Sequence, residues 1–204
     1  MVENDGLDGR QRRGRDTRAH IISAAMEQFC ESGYRASSLR DIAARADITH
    51  PGVLYHFPTK EALLMAVLER RDELGKEQRP VRGSLGRAAL VSMAAAAEHN
   101  QTQRAMVELY SVLSVEATSP DHPAHEYFVS RYETLVTNLR EAYTVARDAG
   151  DLREGIDPDT AAPHLVAVMD GLQVQWLMGT LKVPMSEVVV ANLNAQLVVP
   201  LDLP

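Results

Sequence analysis

Hydrophobic positions along the chain recur at helical spacing nearly from end to end. Ile22, Ala25, Met26 and Phe29 lie three and four apart, which puts one apolar stripe on a first helix from about Thr17 to Ser32. Gly33 follows, where a helix end favours glycine. Leu39, Ile42, Ala43 and Ala46 repeat the pattern, and Ser38 with Asp41 forms the Ser-x-x-Asp signal of a helix start. Asp47 and Ile48 make a short turn. Thr49 caps a third helix through about His56, with Pro51 in its first turn, where a missing N–H costs little. Pro58 stops that helix, and Thr59 caps a long fourth one carrying Leu63, Leu64, Val67 and Leu68.

Residues 75–83, with Pro80 among them, read as a hinge or loop. Beyond it the pattern predicts helices near 84–99, 102–117, 123–149, 158–180 and 185–198. Their breaks fall at Ser119-Pro120, Gly150-Asp151, Asp157-Pro158 and Val183-Pro184. The run Val188-Val189-Val190 is β-prone, but a helical pattern surrounds it. The expected fold is all-α, with about nine helices: a tail over 1–15, a small three-helix domain over 16–62, and a larger helical body over 63–204.

Composition agrees: 45% of the 204 residues are hydrophobic, enough to build a core, and aromatic residues are few. The single cysteine, Cys30, excludes an intrachain disulfide framework and fits a reducing cytoplasm; it reads as a packed small residue rather than a redox sensor. No apolar run approaches the roughly 20 residues of a membrane span. The polar, acidic start from Met1 to Gly9 is wrong for a signal peptide.

The net charge of −7 argues against DNA as a partner until its distribution is read. From Gly9 to Lys60 there are nine Lys/Arg against five Asp/Glu, and from Glu61 onward twelve against twenty. A basic end on an acidic body can turn one face toward phosphate. Residues 38–57 then form two short helices joined by a tight turn, which is a helix-turn-helix. The second of them begins Thr49-His50-Pro51-Gly52-Val53. Leu54 and Phe57 are expected to pack inward, while Thr49, His50, Pro51, Gly52, Val53 and His56 are offered to the major groove. Gly52 lets backbone approach DNA closely. Ser37, Ser38, Arg40, Tyr55 and Lys60 can reach phosphates, Lys60 from the start of the fourth helix. Arg10, Arg12, Arg13, Arg15 and Arg18 form either a DNA-contacting arm or a solvated tail.

The stretch from Thr17 to Leu64 resembles the N-terminal domain of TetR-family regulators. The likeness is carried by Gly33-Tyr34, Leu39-Arg40-Asp41-Ile42-Ala43, Ala46-Asp47-Ile48-Thr49 and Tyr55-His56-Phe57-Pro58-Thr59-Lys60-Glu61-Ala62-Leu63. Asp170-Gly171-Leu172-Gln173 is similar to a pattern frequent in the eighth helix of that family. The family more often has glycine where Pro51 stands and tyrosine where Leu54 stands; the Pro-Gly order resembles one branch of it. The resemblance implies a homodimer that binds a palindromic operator, usually represses, and leaves DNA when a small molecule enters the body. It also implies dimer contacts through about 158–180 and 185–198, where Ala161, Leu165, Val168, Leu172 and Gln175 supply one stripe and Val189, Leu193 and Leu197 another.

Met93, Met106, Tyr110, Leu113, Phe128, Tyr132, Met169, Gln173 and Trp176 are candidates to line an effector pocket, and as a set they fit an apolar or aromatic ligand. His122 and His125 have a spacing that can hold a metal, but Pro123 between them favours a loop-to-helix junction. No cofactor is expected. No phosphate-binding glycine loop, H-E-x-x-H or G-x-S-x-G occurs, so an enzyme is not expected. An adaptor that has lost DNA binding is the other alternative; Arg40, Thr49, His50 and Lys60 argue against it.

Overall fold

The computed structural model describes the backbone of residues 5–77 and 85–201, and side chains over 11–73 and 85–201. Among these residues lie nine helices: α1 (Asp5–Ser32), α2 (Leu39–Arg45), α3 (His50–His56), α4 (Lys60–Glu77), α5 (Arg87–Gln101), α6 (Arg104–Glu116), α7 (His125–Asp148), α8 (Pro158–Leu177) and α9 (Met185–Asn194). The all-α expectation holds. An isolated antiparallel bridge joins Leu152 to Leu197.

Two elements differ from the sequence reading. Helix α1 begins at Asp5, not near Thr17, so much of the stretch read as a tail is helical. Residues 5–16 carry Gly9, Gly14 and four arginines without an apolar stripe, so periodicity had nothing to register there. Helix α4 runs on to Glu77, into the expected loop; the remainder of that loop, 78–83, lies outside the described residues.

The chain divides into two compact units, Met1–Leu74 and Gly75–Pro204. This boundary falls well beyond the expected 62/63, because the apolar stripe of α4 belongs with the first unit: Leu63, Leu64, Val67 and Leu68 are all buried. The first unit also buries Ile21, Ala25 and Phe29 of α1, Ile42 and Ala43 of α2, and Val53 of α3. In the second unit α5 packs chiefly on α9 and α7 on α8. Their core includes Leu90, Leu139, Tyr143, Leu165, Met185 and Leu193. Burial pushes the Tyr143 phenol up to about 12, keeping it neutral at ordinary pH.

The turn between α2 and α3 is built from backbone. Asp47 takes φ +50°, the left-handed conformation, after the last residue of α2. Its N–H donates to Ala44 O at 3.3 Å, and the Ile48 N–H donates to Ala43 O at 3.0 Å. These are the two bonds of a Schellman motif, with Asp47 where glycine is usual. Asp47→Val is expected to cost about 1–2 kcal/mol, since a β-branched residue is strained there, whereas Asp47→Gly is tolerated. Thermal unfolding of both variants checks this, and equal melting points would contradict it.

Candidate nucleic-acid interface

In the first unit α2 and α3 each begin on a side-chain cap. Ser38 Oγ accepts from the Asp41 N–H at 3.2 Å, and Asp41 Oδ2 accepts from the Ser38 N–H at 3.0 Å, a complete capping box. The bonds from Ser38 hold the Asp41 carboxyl below its ordinary range. At α3, Thr49 Oγ1 accepts from the Gly52 N–H at 3.2 Å. A Cβ on Gly52 would meet Ile48 Cγ2 at 2.8 Å, so a side chain there would force Ile48 to shift, whatever the glycine does for DNA. Arg45 ties α2 to α1 through Glu27, Glu31 and Gln28.

Several candidates point to solvent on this scaffold. Arg40, Thr49, Pro51 and Tyr55 are exposed, Tyr55 at 85%, and His50 and His56 are half-buried. Tyr55 and His56 stack edge to face, with ring centroids 5.2 Å apart.

Three assignments are corrected. Val53 is 0% exposed and Leu54 is 36% exposed, so the inward pair is Val53 with Phe57, four apart, and not Leu54 with Phe57. Both spacings place two residues on one helical face, and a seven-residue helix is too short for periodicity to choose between them. Val53 is therefore core, and Leu54 joins the outer surface. Ser37 is also buried, and its hydroxyl donates to Gly33 O at 2.7 Å and Gln28 O at 3.3 Å. That hydroxyl ties the α1–α2 loop to α1 instead of meeting phosphate. Lys60 is the third: its ammonium donates to the carbonyls of Tyr34 (2.7 Å), Arg35 (3.2 Å) and Ser37 (2.8 Å) and lies 4.3 Å from the Tyr34 ring centroid. All three N–H donors of the ammonium are engaged within the protein.

Of the arginine arm, Arg18 lies over the Phe57 ring at 4.9 Å, which roots α1 on the end of α3. Arg12, Arg13 and Arg15 are exposed on α1, and the side chain of Arg10 lies outside the described residues.

In the second unit, Met93 and Met169 sit in the core, with Tyr132 and Trp176 packed against it. Tyr110 and Phe128 pack ring on ring at 4.9 Å, Leu113 is buried and Met106 is half-buried. Gln173 is buried, and its Oε1 accepts from the Ser111 hydroxyl at 3.5 Å. A cavity of about 340 Å³ opens elsewhere, lined by Asp157, Thr160, His164, Asn192 and Gln196 among others, and shares no residue with this set. His122 and His125 stitch the α6–α7 junction: His122 Nδ1 accepts from the Ala124 N–H at 3.2 Å, and a ring nitrogen of His125 meets Ala117 O at 2.8 Å.

The expected dimer stripes are also corrected. Ala161, Leu165, Leu172, Val189, Leu193 and Leu197 are buried in the chain's own core. The solvent face of α8 carries His164, Ala167, Val174, Gln175 and Met178, with Val168 and Gly171 half-exposed; around α9 it carries Ala191, Ala195 and Val198, with Val188 half-exposed. On α8 Ala167, Val168, Gly171 and Val174 thus form a second, outward stripe of small and apolar residues at i, i+1, i+4 and i+7, flanked by His164 and Gln175, and Val188 and Ala191 continue it on α9.

A capped helix-turn-helix unit followed by a larger all-helical unit defines a helix-turn-helix regulator in architecture. The family model for bacterial regulatory proteins of the tetR family matches residues 21–67, and the model for the C-terminal part of BetI-type transcriptional repressors matches 86–198. The chain belongs to the TetR family. It is 35% identical over 103 residues to the transcriptional repressor Rv3405c of Mycobacterium tuberculosis, a match covering 50% of this chain and 53% of that protein. It is 26% identical over 168 residues to the A-factor receptor protein of Streptomyces griseus, covering 81% and 56%. The chain spans about half the length of the curated relatives it matches. Among solved structures, a TetR-family regulator from Rhodococcus shares the fold at TM-score 0.73 and 18% identity, covering 89% of this chain and 98% of that one. The SmeT–triclosan complex aligns at TM-score 0.69 and 25% identity, covering 93% and 97%.

Proposed function

We propose that the chain is a sequence-specific transcriptional repressor that binds a palindromic operator as a homodimer and is released by a small-molecule effector. The observation that carries this reading is the capped α2–turn–α3 unit presenting Arg40, Thr49, His50, Leu54 and Tyr55 outward, in a chain of the TetR family. Helix α3 enters the major groove, with Thr49, His50 and Pro51 toward base edges and Tyr55 and Arg40 toward phosphates. The outer faces of α8 and α9, with Ala167, Gly171, Val174 and Ala191 among them, pair with those of a second copy, so two recognition helices meet half-sites about 34–36 Å apart. Supporting an effector are relatives whose names record a triclosan complex and an A-factor receptor. No helix among the described residues is long and apolar enough to cross a membrane.

Helix α4 carries the chain from one unit into the other, and effector binding acts through it on the spacing of the two reading heads. A ligand does so only if it binds the DNA-free arrangement more tightly, and operator DNA then weakens ligand binding by the same factor.

Selection from a pool of randomised duplexes tests the reading: an enriched inverted repeat supports it, and a pool that stays random contradicts it. On the enriched site, His50→Ala is expected to lose about 1–3 kcal/mol of discrimination at one base pair of each half-site. Competition between matched and mismatched duplexes reads that value. A uniform loss across sequences would move His50 from base reading to backbone contact.

A further inference from the structure

Three helices of the second unit bring polar side chains together beside its core. Tyr132 of α7 donates to Asp170 Oδ2 of α8 at 2.9 Å. Ser111 of α6 donates to Gln173 of α8, one turn further on, and the Ser114 hydroxyl donates back to Ser111 O at 2.9 Å. Arg131 of α7 lies over the Tyr110 ring at 5.0 Å, and its charge acts on Asp170. Tyr110, under the Arg131 guanidinium, packs ring on ring with Phe128, and both rings are buried.

Such an arrangement is costly as mere packing, because each buried polar atom must recover the hydrogen bonds it loses with water. Burial pushes the Asp170 carboxyl up against the opposing pull of Tyr132 and Arg131. The Tyr132 phenol is pushed up as well, by burial first and the Asp170 charge second, so it stays a donor. Asp170 Oδ1 takes no hydrogen bond from another described residue. Nor is the cluster sealed: Ser111, Ser114, Arg131, Tyr132 and Asp170 all keep part of their surface exposed. An acceptor oxygen held in place, in a cluster that includes buried aromatic rings, is the composition of a small-molecule site.

We propose that Asp170, positioned by Tyr132, selects effectors that carry a hydrogen-bond-donating group on an apolar body, a protonated amine above all, and discriminates against carboxylates. The inference rests on the reading of this unit as the effector-binding one and adds the ligand's chemical class. A donor from the ligand completes the second oxygen of Asp170, and an ammonium also offsets its charge. An incoming carboxylate meets the Asp170 charge, which Arg131 offsets only in part, and leaves Oδ1 without a donor.

The test uses size-matched decylamine, decanol and decanoate with their cyclohexyl and phenyl counterparts, below the concentrations at which they aggregate. Binding of the non-aromatic probes to the DNA-free protein is read from the fluorescence of Trp176, the chain's one tryptophan, and binding of all probes from the shift in melting temperature. The amines are expected to bind roughly 10-fold or more tightly than the matched carboxylates, with the alcohols between. In Asp170→Asn that preference collapses toward parity; in Tyr132→Phe it shrinks while circular dichroism shows the helices intact. Carboxylates binding as tightly as amines, an unchanged preference in Asp170→Asn, or no saturable binding of any probe by the folded protein would each overturn the assignment. Because no DNA is present, these outcomes are independent of whether the protein recognises an operator.

Discussion

Gly171→Arg is expected to leave the protomer folded while splitting the dimer and lowering operator affinity about 10²–10⁴-fold. A Cβ built on Gly171 meets nothing within 4 Å, so the chain's own fold has room for a side chain there. Removing glycine from the interior of α8 also favours the helix by about 0.5–1 kcal/mol. The obstacle lies on the other side. Gly171 belongs to the outward face with His164, Ala167, Val174 and Met178, and in the proposed dimer its small members admit a second helix closely. A guanidinium in that contact must lose water without gaining a partner, and its bulk holds the helices apart. One reading head alone then meets one half-site, and the gain from tethering two heads disappears. Sedimentation velocity with circular dichroism separates the terms: a monomer with its helices intact is expected, melting no higher than the dimer because association no longer stabilises the folded chain. A variant that stays dimeric would remove the α8 face from the interface.

The second large effect belongs to Lys60→Met. It keeps the aliphatic stem and removes the ammonium from the carbonyls of Tyr34, Arg35 and Ser37. Two of these bonds are partly buried, and hydrogen bonds to a charged group contribute about 1.5–3 kcal/mol. With the stacking on Tyr34 also lost, a destabilisation of about 2–3 kcal/mol is expected, measured by denaturant unfolding without DNA. A direct phosphate contact predicts a different signature: unchanged stability, and a salt dependence of DNA binding shallower by about one unit of slope. Observing that second pattern would return Lys60 to the interface.

The contrast between these residues shows what the chain makes legible. Signals that act within one turn of backbone were readable: the Ser38–Asp41 box, the Thr49 and Thr59 caps, and Gly33 at a helix end, here with φ +78°. Each is a local hydrogen-bond requirement attached to a residue type. Signals that depend on which of two apolar faces turns inward were not. On α8 the stripe through Leu165 and Leu172 and the stripe through Ala167 and Val174 both satisfy helical spacing, and only packing against α7 assigns the first to the core. Val53 and Leu54 pose the same ambiguity in miniature. Polar residues add a third case. Ser37 and Lys60 have the chemistry of phosphate contacts, but main-chain carbonyls engage them first, those of Gly33 and Gln28 for Ser37 and those of the distant α1–α2 connection for Lys60. The Tyr132–Asp170 pair, 38 residues apart, had no local signal at all.

The most direct test of the account is a titration of the purified protein against DNA from upstream of its own gene and against an equal length of scrambled DNA, at two salt concentrations. Saturable binding to the first at physiological salt, two protomers per site and well separated from the scrambled control, is the predicted result. Equal binding to both, falling together as salt rises, would leave only phosphate attraction and contradict sequence-specific recognition at that site.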